Sequence, residues 1–133
     1  MNSTRLFAIL LTISAIGFPV YAAEPRVFFI EPGDGAEVVA PIKLKFGIEG
    51  MEVRPAGEAM PNSGHHHLII DGTPAPKDSV LPFSQQVQHF GKGQTETELT
   101  LPPGDHTLTL QFGDGSHHSY GPAVSQTILV HVK

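Results

Sequence analysis

The chain has 133 residues and a formal net charge of −5, with no cysteine, 14 glycines and 12 prolines. The lack of cysteine excludes disulfides, thiolate metal sites, iron–sulfur clusters and cysteine nucleophiles. The negative charge argues against nucleic acid and anionic membrane surfaces as partners, because both are bound through basic patches.

The N-terminal segment has the pattern of a secretory signal peptide. Arg5 supplies a positive start, residues 6–20 are almost wholly apolar, and Ala22 is a small residue at a suitable cleavage position. The apolar run is short for a membrane span, which needs about 20 residues. We therefore predict a signal peptide at 1–22, one domain without a membrane span at 23–133, and a periplasmic or secreted location. A retained N-terminal anchor is the alternative.

Short strands separated by turns account for the rest of the chain. Residues 42–48 and 106–112 alternate between apolar and polar side chains, which predicts strands with one buried face. Five further strands are predicted at 27–30, 65–71, 85–90, 95–101 and 124–132. Seven short strands with Gly- and Pro-rich turns predict an all-β fold, an antiparallel sandwich of the immunoglobulin or fibronectin type.

Two connections, 50–64 and 113–122, are long loops, and the first exceeds ordinary loop lengths, which makes it a candidate functional loop. In an immunoglobulin-like topology, the connections after the second, fourth and sixth strands lie at one end of the sandwich. That end is predicted to collect six of the eight histidines: His65, His66, His67, His89, His117 and His118.

Three consecutive histidines begin the third predicted strand. His66 shares a face with Leu68 and Ile70, so we predict that it is buried and hydrogen-bonded. His65 and His67 then form a pair on the opposite face. Their spacing of about 7 Å along the strand lets both rings reach a single ion.

Imidazole nitrogen suits Cu(II), Zn(II) or Ni(II). We therefore predict a divalent-metal site, with copper before zinc as the bound ion. The candidate ligands are His65, His67, His89, His117 and His118. Glu58, Asp71 and Glu96 are candidate acceptors that orient the rings. Such a site is expected to release its metal as the pH falls through about 6, because histidine binds metal only when deprotonated.

Other interpretations of the histidines remain open at this level. The triple histidine fits a structural hydrogen-bond network or a pH switch as well as a metal site. His117 and His118 fit a solvated hairpin loop when considered alone. His106 is predicted to be an inward ring hydrogen-bonded near a turn, and His131 an outward residue on the last strand.

Enzymatic motifs are missing from the sequence. It contains no Gly-x-Ser-x-Gly, no His-Glu-x-x-His and no phosphate-binding glycine loop. Ser63 and Ser116 lie close to histidines, but no acidic residue is obviously placed to orient a base. We therefore expect a non-catalytic binding domain with copper or zinc as its only cofactor. The alternative is a structural or protein-interaction module of the cell envelope, with a protein partner there.

Several motifs resemble one bacterial family. They are Gly-His-His-His-Leu-Ile-Ile-Asp at 64–71, His-Phe-Gly-Lys-Gly-Gln-Thr-Glu at 89–96, and Asp-Gly-x-His-x-x-Tyr-Gly-Pro at 114–122. The family consists of exported domains of unknown function, so the resemblance implies a small secreted or periplasmic domain and no established activity. A looser similarity is to periplasmic copper carriers, which are also small β-sandwiches. Their N-terminal histidine ligand has no counterpart at Ala23 or Glu24.

Overall fold

The computed structural model describes residues 12–20 and 24–133. Residues 12–20 are exposed and form neither helix nor strand. The start of the predicted signal peptide and its cleavage position after Ala22 lie outside the described residues. Within the two described ranges, no helix is long and apolar enough to cross a membrane.

Nine strands and one short 3-10 helix form the described chain. The strands are β1 (Arg26–Glu31), β2 (Ala36–Val38), β3 (Ile42–Glu49), β4 (Glu52–Val53), β5 (Ser63–Ile70), β6 (Val87–His89), β7 (Glu96–Leu99), β8 (Gly104–Gly113) and β9 (Ser125–Val132). The 3-10 helix is Pro122–Val124. All seven predicted strands are present, with ends that differ by two residues or fewer. The predicted loop 50–64 contains β4 and the first residues of β5.

Two sheets pack face to face, which confirms the predicted all-β sandwich. One sheet has three strands in the order β1-β3-β7. The other has six strands in the order β2-β9-β8-β5-β4, and β6 also pairs with β5. Strands β3 and β8 are therefore central in their sheets, and β5 has neighbours along both edges.

The main core lies between the two sheets. Its members are the inward side chains of the alternating strands, as the period-2 patterns predicted. They include Ile42, Leu44 and Phe46 from β3, Leu108, Leu110 and Phe112 from β8, and Ile128, Val130 and Val132 from β9. This core fixes which face of each strand points away from the interior.

The outer face of the six-stranded sheet is also covered, which strand alternation alone did not predict. Thr109 and Gln111 were expected to face solvent, but both are fully buried. A second apolar cluster of Ile69, Leu81 and Val87 lies on this face. All eight residues of β5 are consequently buried.

The Gln111 side chain hydrogen-bonds to both connections that cover this face of the sheet. Its side-chain oxygen accepts a hydrogen bond from the Ala75 backbone N–H at 3.0 Å. Its side-chain nitrogen donates to the carbonyl of Gly121 at 2.9 Å. One buried amide therefore holds the connection after β5 and the connection after β8 against the same face.

Candidate metal centre

Strand β5 places three adjacent histidines on its two faces. His65, His66 and His67 are all fully buried. His66 lies opposite Phe112 on the core face, and His67 lies opposite Gln111 on the outer face. The predicted division of the three rings between two faces is confirmed. The outer pair is enclosed rather than open to solvent, because the connections described above cover it.

His89 reaches the cluster through direct strand pairing. In the antiparallel pair of β5 and β6, His89 is the partner of His67. Directly paired residues share a face of the sheet, and the two ring centroids are 4.5 Å apart. The sequence placed His89 near the cluster because of the loops at one end of the sandwich. The structural cause is the pairing of β6 with β5.

His117 is presented by a tight turn after β8. Its backbone φ is 66°, in the left-handed region where few non-glycine residues lie. Its N–H donates to the Asp114 carbonyl at 2.9 Å, and its carbonyl accepts from the Leu81 N–H at 2.8 Å. The Asp114 carboxylate also accepts from the N–H groups of Ser116 and His118, each at 2.9 Å. These bonds fix the direction of the His117 ring.

Four ring nitrogens converge around one point. Nδ1 of His117 is 3.1 Å from Nε2 of His65 and 3.4 Å from Nε2 of His67. The same atom is 3.2 Å from Nδ1 of His89. All four nitrogens lie within 4.8 Å of one another. Four nitrogens around a tetrahedral ion at zinc–nitrogen distances stand about 3.3 Å apart, close to the three separations from Nδ1 of His117.

A backbone carbonyl sets the tautomer of His89. Nε2 of His89 lies 2.7 Å from the carbonyl oxygen of Pro82. A carbonyl only accepts hydrogen bonds, so Nε2 carries the proton and donates it. In the neutral ring, Nδ1 then has a free lone pair directed at the cluster. This is the usual arrangement by which an outer partner orients a metal-binding histidine.

Burial keeps the rings of His65, His67 and His117 neutral. It lowers the pKa of His65 to about 4, helped by the neighbouring His117 and His89 and opposed by Asp114. Burial also lowers the pKa of His67 to about 2, with His65, His89 and His117 adding to the effect. The pKa of His117 is lowered for the same reasons, burial first and His89 second. At neutral pH, these rings therefore offer lone pairs rather than positive charge.

His118, the fifth predicted ligand, does not join the four. Its side chain is 44% exposed, and its Nδ1 lies 3.5 Å from the Asp114 carboxylate. Adjacent residues in this turn point in different directions, so only His117 of the pair faces the cluster. The sequence could not distinguish the two, because both follow the same Asp-Gly-Ser segment.

The predicted carboxylate acceptors lie elsewhere. Asp71 accepts a hydrogen bond from Nδ1 of His106 at 2.8 Å, and Nε2 of His106 donates to the Pro102 carbonyl at 2.9 Å. These bonds raise the pKa of His106, with the Asp71 bond as the larger cause. The structural role predicted for His106 is confirmed. Glu58 and Glu96 are exposed.

Two residues that sequence reasoning missed shape the cluster. A Cβ on Gly113 would lie 2.8 Å from Cε1 of His67, so the ring occupies space that only glycine leaves. The Phe83 ring stacks on His89, with centroids 3.8 Å apart and planes 9° from parallel. The only sequence signal for Phe83 was its aromatic side chain within a turn-rich connection.

His66 differs from its prediction in one respect. Its burial is confirmed, but among the described residues neither of its ring nitrogens has a hydrogen-bond partner. The ring lies 5.1 Å from the Phe112 ring and 5.3 Å from the Phe46 ring, between centroids. Burial lowers its pKa to about 4, with a smaller contribution from His65. This histidine is a neutral member of the apolar core.

The fold and the cluster together define an all-β sandwich with a group of two buried and two half-buried histidines that could hold a metal ion. Residues 44–133 match the family described as "Domain of unknown function (DUF4399)", and the chain belongs to this family. Neither the curated proteins nor the solved structures gave a match. The predicted membership of a family of unknown function is confirmed, and the similarity to copper carriers stays a prediction.

Proposed function

We propose that the protein is an exported, non-catalytic domain that binds one divalent metal ion, copper before zinc. The ligands are His65, His67, His89 and His117. The observation that carries the proposal is the convergence of four ring nitrogens within 4.8 Å. Copper comes first because sites with nitrogen ligands bind Cu(II) more tightly than Zn(II). Export rests on the signal-peptide pattern at 1–22.

Hydrogen bonding alone accounts poorly for this arrangement. An imidazole nitrogen carries either one proton or one lone pair. Nδ1 of His117 therefore cannot make full hydrogen bonds to three other ring nitrogens, although all three lie within 3.4 Å. Four lone pairs directed at one cation remove this conflict.

The number of ligands supports a binding role rather than catalysis. Catalytic zinc sites keep one position open for water or substrate, whereas structural sites are filled by four protein ligands. Four histidines complete a tetrahedral set. An enclosed set of this kind suits storage, transport or structural binding of the ion.

Calorimetric titration of the protein with Cu(II) and with Zn(II) tests the proposal. We expect one ion bound per chain, with tighter binding of Cu(II). A stoichiometry below half an ion per chain for both metals contradicts it. Under the alternative function, a structural or protein-interaction module, the ring-to-ring contacts are only a hydrogen-bond network and no stoichiometric binding is observed.

Metal binding is expected to persist at a more acidic pH than in a site of ordinary imidazoles. The metal competes with protons for the ring nitrogens, and the pKa values of His65 and His67 are lowered to about 4 and about 2. Protons should therefore displace the metal from these two inner ligands only as the pH drops toward about 4, well below the range in which ordinary imidazoles are protonated. Competition with a chelator between pH 7 and about 4 measures the affinity, and complete release of the ion by pH 6 contradicts the lowered pKa values of the inner pair.

Gly113→Ala is expected to weaken metal binding by at least about tenfold, because the new methyl group displaces the His67 ring. The added Cβ would meet Cε1 of that ring at 2.8 Å. Gly33→Ala is the matched control, since a Cβ there has no heavy atom within 4 Å. Titration of both variants compares the effects. Equal affinities would show that Gly113 does not shape the site.

A further inference from the structure

The four ligands differ in how far they are enclosed. His65 and His67 are fully buried on the central strand β5. His89 and His117 are half-buried and lie on the short strand β6 and the turn after β8. The strand pair therefore forms the inner wall of the site, and the other two rings form its outer side. An ion that enters or leaves must pass this outer side.

One exposed aromatic ring covers both outer ligands. The Phe83 ring lies parallel to the His89 ring at 3.8 Å, and it meets the His117 ring edge-on at 5.1 Å. Yet Phe83 itself is 74% exposed. Most of its surface faces solvent, and its ring contacts the two histidine rings.

The backbone that carries Phe83 is anchored, whereas its side chain projects outward and is 74% exposed. Phe83 lies outside the strands, in the connection between β5 and β6. The neighbouring Leu81 anchors one side of this connection in the second apolar cluster. Pro82 binds His89 through its carbonyl. Rotation of the Phe83 side chain therefore opens the outer side without disturbing either anchor.

We propose that Phe83 is the gate of the metal site and sets the rate at which the ion exchanges. This inference rests on the proposed metal-binding function and extends it to the route of the ion. Stacking on His89 and the edge-on contact with His117 hold the ring over the outer side of the site, where it hinders water and competing ligands. When the ring swings out, the two outer ligands become accessible, and the inner pair holds the ion until transfer is complete.

Phe83→Ala is expected to speed metal release about three- to tenfold, which corresponds to the loss of one aromatic stacking pair. Affinity should change less, because entry and release both become faster. Phe83→Tyr keeps the stacked ring and should behave as the wild type does. Val80→Ala is the matched control, since Val80 is 65% exposed in the same connection. Stopped-flow transfer of Zn(II) to a chromophoric chelator measures the rates.

A second measurement does not depend on metal. In the metal-free protein, carbethoxylation of His89 and His117 by diethyl pyrocarbonate, followed by mass spectrometry, should be faster in Phe83→Ala than in the wild type. Equal rates in the two proteins, for metal transfer and for carbethoxylation, overturn the gate. If the wild type binds no metal, the proposed function fails. Equal carbethoxylation rates in the two proteins would then show separately that Phe83 does not cover the two rings.

Discussion

His117→Asn is expected to weaken metal binding by at least about 100-fold, since it removes a direct ligand, a larger change than losing a partner that only orients one. Nδ1 of His117 is the atom that approaches all three other ring nitrogens. Asparagine is the suitable replacement because it tolerates the positive φ of 66° at this position. Calorimetric titration measures the loss.

The matched control is the same substitution at the next residue. His118→Asn should change the affinity by less than about threefold, because the His118 side chain lies outside the four-histidine group and is 44% exposed. Both variants alter one histidine in one turn, so general effects on folding are shared. Similar affinities for the two variants would contradict the assigned ligand set.

His66→Leu is expected to stabilise the protein at neutral pH by about 1–3 kcal/mol, the usual cost of a buried polar group without a hydrogen bond. Leucine suits the position because the ring lies among Phe46 and Phe112 in the main core. Metal binding should be retained, since His66 points away from the cluster. Denaturant unfolding measures the change.

The same substitution should also reduce acid sensitivity. Folding lowers the pKa of His66 from 6.5 to about 4, so the unfolded chain binds more protons between these values. The free energy of unfolding therefore falls as the pH drops from about 6.5 toward 4, by about 3 kcal/mol from this residue alone. His66→Leu should remove this contribution to the acid-induced loss of stability, while the contributions of the other buried histidines remain.

Ile70→Leu is the control for His66→Leu, because it changes core packing on the same strand without changing a titratable group. It should lower stability by less than about 1.5 kcal/mol and leave the acid dependence as in the wild type. If His66→Leu destabilises the protein, or has the wild-type acid dependence, then His66 is not the neutral core residue described above.

The strands and the main core follow from local pattern. The alternation at 42–48 and 106–112 predicts which side chains face inward. Leu44, Phe46 and Leu110 lie in the core as predicted. Burial of an apolar face is strong enough to fix the register of such strands. The same rule divided the triple histidine correctly between the two faces of β5.

The second buried layer does not follow from local pattern. Gln111 and Thr109 alternate as polar, solvent-facing residues, yet the connections fold back over them. That cover depends on long-range hydrogen bonds, such as the one from the Ala75 N–H to Gln111. A period-2 pattern carries no information about loops that return across a sheet.

The sequence predicted which histidines form the candidate site better than it predicted how the fold brings them together. Histidines 65, 67, 89 and 117 meet as proposed, but His89 arrives by pairing with His67 in a register that its own sequence does not encode. The choice of His117 over His118 depends on a turn held by Asp114. Pro82 contributes only its backbone carbonyl, so its residue type gives no sign in the sequence that it orients His89.

X-ray absorption spectroscopy of the zinc-loaded or copper-loaded protein tests the central claim most directly. The predicted result is a first coordination shell of four nitrogens at about 2.0 Å, with the outer-shell scattering typical of imidazole rings. His117→Asn should lower the imidazole count by one, and His118→Asn should leave it unchanged. A shell dominated by oxygen, or one with fewer than three imidazoles in the wild type, would contradict the four-histidine site.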